Sequence, residues 1–437
     1  MSAVPQPTAR EDRIGLLDTM RGFAVLGILL MNIVGFGLPY AYDDPTNWGG
    51  ASGGNLIAWG INALLFEGTM RGLFTLLFGA GALLFLQRHE GRGATRLYLR
   101  RMAGLVAFGL LDGYLLLWDG DILFFYGLAG LLLIPFRRMP AGRLIAVAAL
   151  IMSLQTLVTM VEWSDYHKER AEAHAAEAKR ALGTPLNADQ IAAIETFAAT
   201  SRELKPAHAD LEALVAGMRE SYASAFELVR ERTWYVQTVF FLRHGLLESL
   251  GMMLLGMALL RQGVLDGSAS SRMYLALLAG GYALGLSVNV HEVRVLWTSG
   301  FSTDALIDGY LSYDLGRIPM TLGHVGAVGL LCRTRALRPT VRALADVGRM
   351  ALTNYLAQSV ICMLIFTGAG WALYGQLERS DLYYAVAAIW IAQLIWSPLW
   401  LRHFRFGPAE WLWRSLTYGR SQPLRRTALR ERPAAGS

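Results

Sequence analysis

Ionisable side chains interrupt the apolar stretches of this chain at helical spacings. In the first stretch Asp18 and Arg21 are three residues apart on one helix face, and Asn32 returns to that face about three turns later. An ionisable group is costly in hydrocarbon, so such groups are expected to face a protein interior or cavity and to mark a functional site. The stripe would offer a cation and an amide to a ligand. The alternative is an ion pair that only orients the helix.

A second candidate pair follows, with Glu67 and Arg71 four residues apart in FEGTMRGLFTLLFGAG. A carboxyl group kept away from water can act as a general base, so Glu67 is a catalytic candidate and Arg71 a binding candidate. Beside an arginine, the same carboxylate can instead stay ionised and serve structure alone.

Three acids occur together in LLDGYLLLWDGDILFFYG. Asp112 lies within an apolar run and needs a partner, which makes it another candidate base. Asp119 and Asp121 lie in a short turn between apolar runs. Asp121 suits either ligand binding or capping of the following helix, and capping is the more common role.

The second half of the chain adds histidines and amides. His244 and Glu248 are four residues apart, which suits a proton relay or a metal, but a third metal ligand is absent nearby and we predict no metal site. His324, in MTLGHVGAVG, is a candidate base, although a lone intramembrane histidine is often a packing residue. Asn354 and Gln358 share a face suited to ligand binding or to hydrogen bonds between helices.

The composition indicates that a membrane surrounds these residues. The 437 residues are 54% hydrophobic and 17% charged, whereas about a quarter of the residues in a soluble domain are charged. The net charge of +6 comes from arginines that flank apolar runs, which favours contact with anionic lipid and argues against nucleic-acid binding. Asp18 and Arg21 interrupt the first apolar run, so a cleavable signal peptide is not predicted.

Ten stretches are apolar and long enough to cross a bilayer core of about 30 Å as helices. The second is too long for one straight crossing, so its first part is expected to re-enter or to lie at the interface. With ten crossings, the arginine-rich connectors all fall on the side of the amino terminus, which the positive-inside rule makes cytoplasmic. The predicted spans are 16–38, 56–86, 102–118, 122–136, 143–162, 237–260, 273–292, 310–331, 349–374 and 383–401.

The predicted fold class is therefore all-α: a polytopic integral membrane helical bundle of about ten transmembrane helices with both termini cytoplasmic. Residues 1–162 form an N-terminal membrane half, and residues 163–235, rich in Ala and Glu, form a helical extramembrane cap. Residues 236–402 form a C-terminal membrane half. Residues 403–437 form a basic cytoplasmic tail with an interfacial helix.

Several passages resemble the YeiB-like family of bacterial inner-membrane proteins, domain-of-unknown-function 418. They are the start, LLDTMRGFAVLGILLMNIVGFGLPYAY, and the end, GRMALTNYLAQSVICMLIFTGAGWALYGQL followed by FRFGPAEWLWRSLTYGRSQPLRR. FEGTMRGLFTLLFGAGALLF, WDGDILFFYGLAGLLL and LLGMALLRQGVL add to the resemblance, which covers most of the chain outside the cap. It implies a multi-pass protein of the bacterial inner membrane.

Through the first span, the chain is also similar to a wider set of transmembrane acyltransferases. The set includes the heparan-alpha-glucosaminide N-acetyltransferases and the acyltransferase family three sugar O-acylases, which pass an acyl group from cytoplasmic acyl-CoA to an acceptor across the membrane. The O-acylases carry an arginine and a histidine separated by ten residues, and this spacing falls here on Arg21 and Asn32, so the histidine is absent. The resemblance implies acyl-CoA as co-substrate, no permanently bound cofactor, and a sugar or other small acceptor.

Two other functions fit the same residues. In a transporter or permease for a small or lipid-linked metabolite, the buried charges would line a substrate or proton path. In a non-catalytic membrane scaffold, the cap would be a docking surface. Whichever function holds, we expect Asp18, Arg21, Glu67 and Arg71 to converge on one internal chamber. The sequence predicts the lipid bilayer as a partner and does not predict an oligomeric state.

Overall fold

The computed structural model describes residues 15–89 and 93–426, so Arg92 and the last part of the predicted tail lie outside the described residues. In the described ranges, the chain forms sixteen α-helices and no strand. They are α1 (Gly15–Gly37), α2 (Gly53–Leu65), α3 (Thr69–Arg88), α4 (Ala94–Leu110), α5 (Leu123–Leu131), α6 (Ala141–Ala181), α7 (Ala188–Leu204), α8 (His208–Glu220), α9 (Tyr222–Tyr235), α10 (Leu246–Arg261), α11 (Ser271–Thr298), α12 (Thr303–Leu331), α13 (Arg338–Arg349), α14 (Ala351–Phe366), α15 (Arg379–His403) and α16 (Pro408–Tyr418).

Six helical stretches of the described chain are long and apolar enough to cross a bilayer. α12 passes the same test only together with α13, to which it is bent by 92°, and α14 is apolar but has 16 residues. A multi-pass helical membrane fold is therefore confirmed. The six stretches are Gly15–Gly37, Gly53–Arg88, Ala141–Ala181, Tyr222–Arg261, Ser271–Thr298 and Arg379–His403.

Burial separates central from peripheral helices. The most apolar windows of α1 and of the α2–α3 stretch are 72% buried, whereas those of α6, α11 and α15 are only 17%, 22% and 28% buried. Apolar faces of this size are too large to leave in water, so the outer helices present them to lipid. At the centre, Gly79 on α3 and Gly256 on α10 let the two backbones touch, because a Cβ at either glycine would overlap the other helix's backbone.

The second apolar stretch is interrupted at residues 66–68, between α2 and α3. The two helices still form one stretch long enough to cross, so a re-entrant or interfacial first part stays a prediction. Gly68 at the break has φ +64°, a left-handed conformation in which other residues are strained. A Cβ on Gly68 would overlap the Tyr313 hydroxyl and the Arg317 side chain. Glycine therefore permits both the turn and the close approach of α12.

Side chains from two other helices bind the carbonyls that the break leaves free. The Asn289 amide on α11 donates to the Leu64 carbonyl (2.9 Å), and Nε2 of His324 on α12 lies 2.8 Å from the Leu65 carbonyl. The Tyr282 hydroxyl lies 2.8 Å from Nδ1 of His324. An unpaired carbonyl at membrane depth would cost several kcal/mol. These contacts therefore stabilise the break, and they engage both ring nitrogens of His324.

Contacts between connectors define two ends of the bundle. At the end called here the basic end, Arg333 donates to the Gly267 carbonyl (3.2 Å), and the Trp413 indole of α16 donates to the Arg101 carbonyl (2.8 Å). α16 is thus packed into the bundle rather than lying apart from it as a tail.

The opposite end, called the cap end, carries α7 to α9 and the extension of α6. The Gly368 amide donates to the Met218 carbonyl (2.9 Å), and the Lys205 ammonium lies 3.1 Å from the Asp44 carboxylate. α6 runs unbroken from Ala141 to Ala181, so the expected boundary at residue 162 lies inside a helix. The Ala- and Glu-rich sequence continues the helix beyond the apolar span because it has high helix propensity.

Candidate functional site

A cavity of about 230 Å³ lies at the basic end, and it is called here the basic cavity because arginines line it. Its walls are mainly apolar and include Phe74, Leu77 and Phe78. Tyr126 and Tyr355 also line it. Tyr126 contacts Thr75 on α3, about 9 Å along the helix from Gly81, where Arg21 approaches, and about 20 Å from Arg88. Five arginines also line the cavity: Arg21, Arg88, Arg101, Arg349 and Arg414.

Several of these arginines are held by specific contacts. The Arg21 guanidinium lies 3.1 Å from the Asp18 carboxylate, so the predicted ion pair forms at the cavity wall. The Arg101 guanidinium lies 3.8 Å from the centre of the Trp413 ring. Burial lowers the pKa of the Arg414 guanidinium. Cations gathered in this way repel one another, so a bound anion would stabilise the arrangement.

α16 closes the basic cavity through a buried carboxylate. Glu410 accepts hydrogen bonds from the Leu352 amide (2.7 Å) and the Thr353 hydroxyl (2.5 Å) at the start of α14. A carboxylate at a helix amino terminus satisfies free amides and opposes the positive end of the helix dipole. Glu410 therefore ties α16 to α14 across the cavity.

A chain of polar side chains runs from Tyr126 toward the cap end. The Tyr126 hydroxyl lies 2.5 Å from the Thr75 hydroxyl and donates to the Arg71 carbonyl (3.3 Å). The Arg71 guanidinium lies 3.2 Å from the Glu248 carboxylate, and Arg317 donates to the same carboxylate. Arg71 is therefore paired with α10 of the second membrane half rather than with Glu67, its neighbour in sequence.

A smaller cavity of about 70 Å³, the acidic cavity, lies between α2, α11 and α12. The carboxyl groups of Asp43, Glu67 and Glu292 line it, together with Tyr310. Burial raises the pKa of the half-buried Asp43 carboxyl, while the Arg379 guanidinium opposes this effect. Such a cavity suits a polar ligand that donates hydrogen bonds or carries positive charge. Tyr313 and Arg317, which also line it, connect it to the polar chain.

The expectation of one shared chamber is therefore wrong. Asp18 and Arg21 line the basic cavity, Glu67 lines the acidic cavity, and Arg71 lies between the two. The packed cluster around Glu248 separates the cavities.

Asp112 and Asp121 neighbour each other, and Tyr355 neighbours both. Asp121 accepts two backbone amides of the first turn of α5 at 2.8 and 3.0 Å, which is the predicted capping role. Asp112 lies in the π-helical turn Leu111–Leu115 that continues α4, with no exposed surface. In the described part of the chain, neither carboxylate oxygen of Asp112 has a hydrogen bond of good geometry, although Ser359 and Tyr355 lie near it.

Three other predicted site residues line neither cavity. His244 faces α6, where Nε2 lies 3.4 Å from the Glu162 carboxylate. The Asn354 amide donates to the Ser397 hydroxyl (3.0 Å) and so joins α14 to α15. Asn32 is half-buried on α1.

Sequence reasoning missed the cavity residues Tyr126, Tyr355 and Glu410. Tyrosines inside apolar runs are also common packing residues, so only their shared position at one cavity distinguishes these two. Glu410 carried a weak signal, because it is the only acid in the aromatic segment FRFGPAEWLWRSLTYG.

The fold and these cavities define a multi-pass helical membrane protein with a cavity toward each end. The profile of the DUF418 family, described as a protein of unknown function, matches residues 259–420. YeiB, an uncharacterized protein of Escherichia coli (strain K12), is 32% identical over 415 residues, which covers 93% of this chain and 97% of the relative.

YxaH, an uncharacterized protein of Bacillus subtilis (strain 168), is 30% identical over 432 residues, or 96% of this chain and 98% of the relative. No solved structure matches the chain. The chain belongs to the YeiB-like, DUF418 family, and the family resemblance inferred from the sequence is confirmed.

Proposed function

We propose that this protein is a transmembrane acyltransferase that takes an acyl group from a cytoplasmic acyl-CoA-type donor and passes it to a sugar or other small acceptor. The basic cavity is the observation that carries this proposal. Five arginines beside apolar walls suit an amphiphile with an anionic phosphate head and an apolar tail. Acyl-CoA has this chemistry and would be a transient co-substrate.

The two cavities give donor and acceptor separate positions. The phosphates of the donor would bind near Arg21, Arg101 and Arg414, with its thioester directed toward Tyr126 and Tyr355. An acceptor hydroxyl or amine would bind at the carboxyl groups of the acidic cavity. The packed cluster around Glu248 would then have to open for the acceptor to reach the thioester beside Tyr355. Glu67 and Asp112 are the candidate bases next to these positions, since both nitrogens of His324 are engaged at the helix break.

The proposal includes a topology of ten crossings, with both termini on the cytoplasmic side of a bacterial inner membrane. In this topology the six long apolar stretches would be joined by four further crossings that include α4, α5, α12 and α14, of which α5 with nine residues needs its flanking residues to span the membrane. The arginines collected at the basic end support a cytoplasmic assignment for that end, because positive charge is retained in the cytoplasm.

Acyl-CoA binding to the purified full-length protein in nanodiscs tests the donor site. Calorimetric titration with acetyl-CoA and palmitoyl-CoA should give saturable binding. Loss of one charged contact costs about 1.5–3 kcal/mol, so the Arg21→Ala and Arg101→Ala variants should bind about ten- to a hundredfold more weakly.

Arg333→Ala is the matched control, because Arg333 lies at the same end and contacts a loop instead of the cavity. It should bind acyl-CoA as the wild type does. Absence of binding to the wild type, or equal weakening in all three variants, would contradict the proposal.

A transporter for a small or lipid-linked metabolite is the second candidate, and the broken α2–α3 helix favours it. Discontinuous helices at membrane depth form substrate and ion sites in many transporters, and Glu67 and Arg71 lie at this break. Proteoliposomes that accumulate a solute without covalent change to it, in the absence of any acyl donor, would support transport and count against acyl transfer.

A further inference from the structure

Asp112 and Asp121 form an unusual pair of buried carboxyl groups. Asp112 has no exposed surface and Asp121 is 2% exposed. Asp121, Ser359 and Tyr355 are the polar side chains that neighbour Asp112, and none of them is basic. Two neighbouring carboxylates without a cation cannot both be ionised in apolar surroundings, so the pair must hold a proton.

The two members of the pair have different partners. Asp121 accepts backbone amides that stabilise its ionised form. In the described chain both oxygens of Asp112 lack a hydrogen bond of good geometry, although Ser359 and Tyr355 lie near them. An acid with only a structural role would be expected to accept hydrogen bonds through its carboxylate oxygens, because an unsatisfied buried polar group costs about 1–3 kcal/mol. Asp112 therefore retains unused capacity to bind a proton.

Tyr355 joins this pair to the basic cavity. Its hydroxyl donates to the Asp121 carboxylate (3.5 Å) and accepts the Ile122 amide (3.3 Å). Tyr355 also lines the basic cavity, beside Leu123 and Leu352. The side chain thus has one contact with the acid pair and one with the space where a donor would lie.

We infer that Asp112 and Asp121 are a proton-holding site that exchanges with the basic cavity through the Tyr355 hydroxyl. In the proposed acyl transfer, on which this role in the reaction rests, the pair is the base that receives the proton of the acceptor. The proton site itself does not depend on that reaction.

The acceptor oxygen or nitrogen bonds to the thioester carbonyl carbon, the carbon–sulfur bond breaks, and its electron pair leaves with sulfur. The acceptor proton passes to the Tyr355 oxygen while the tyrosine proton passes to the carboxyl pair, which then holds two protons. The reverse transfer delivers one proton to the departing thiolate.

Infrared difference spectroscopy of the full-length protein in nanodiscs tests the proton site without any substrate. The wild type minus Asp112→Asn spectrum should contain the carbonyl band of a protonated carboxyl group near neutral pH. Asp44→Asn, which removes a buried carboxylate paired with Lys205 near the cap, is the control and should leave that band in place. A wild type minus Asp112→Asn spectrum without a protonated-carboxyl band would overturn the inference.

The Tyr355→Phe variant tests the route and keeps both carboxyl groups. Transfer into deuterated water should shift the carboxyl band quickly in the wild type and more slowly in Tyr355→Phe. Exchange at the wild-type rate in this variant would overturn the role of Tyr355.

Single-turnover acyl transfer separates this inference from the proposed function. If the wild type binds acyl-CoA and transfers its acyl group, Asp112→Asn should still bind the donor but transfer about a hundredfold more slowly or worse, with an altered pH profile. Undiminished transfer by Asp112→Asn would refute the base role alone. Failure of the wild type to bind acyl-CoA would refute the acyltransferase, and the infrared result would still decide whether the proton site exists.

Discussion

Gly68 has the most constrained backbone position near the two cavities. Its left-handed conformation and its contact with Tyr313 and Arg317 leave no room for a Cβ. We expect Gly68→Ala to lower the free energy of unfolding by about 1–3 kcal/mol. Gly60→Ala on α2 is the control, since open space surrounds Gly60 and alanine favours a helix interior by about 1 kcal/mol. Unfolding in mixed detergent micelles measures both, and equal stabilities would contradict the constraint at Gly68.

Glu248 is the residue on which two arginines depend. It pairs with Arg71 at 3.2 Å and also accepts from Arg317, which is 2% exposed. Glu248→Gln would remove the carboxylate paired with Arg71 and leave Arg317 paired with Asp314, so a loss of about 3–5 kcal/mol in unfolding free energy is expected. Glu212→Gln in the cap, where the carboxylate is 66% exposed, should change stability little. A Glu248→Gln protein as stable as the wild type would show that this cluster is not a structural centre.

At the scale of elements, α16 acts as the closure of the basic cavity, with Glu410 as its contact to α14. In Glu410→Gln the charged acceptor is lost, so the amides of Leu352 and Thr353 should exchange hydrogen for deuterium faster. Hydrogen exchange read by mass spectrometry should show this change in the first turn of α14 and none in α7 or α8. Unchanged exchange at α14 would mean that other contacts of α16, such as Trp413 with Arg101, are sufficient to hold it.

At the scale of the whole molecule, the two ends of the bundle must lie on opposite sides of the membrane. In the proposed topology the cap end lies outside the cytoplasm, so a phosphatase inserted at Gly183, in the turn after α6, should be active there. Open space around Gly183 leaves room for the insertion. A fluorescent protein fused after the last residue should fluoresce inside the cell. Reporters that both act on one side would contradict the ten-crossing topology.

Local sequence was sufficient for some features of the site and insufficient for others. The Asp18–Arg21 pair and the Asp121 cap depend on residues three or fewer positions apart, so helical spacing predicted them. The spacing of Glu67 and Arg71 was misleading. Arg71 pairs instead with Glu248, which lies far away in the sequence but on a helix that packs against α3. Tyr355 carried no local signal at all.

The sequence by itself determined that this protein is a multi-pass helical membrane protein of the YeiB-like family and which segments are helical. Helix formation and lipid exposure follow from apolar runs and from backbone hydrogen bonds within each segment, and both are local properties. Only the tertiary structure decided that the buried charges surround two cavities, and that a tyrosine joins one of them to a carboxyl pair. Those relations depend on which helices pack together, and the contacts that decide this lie hundreds of residues apart in the chain.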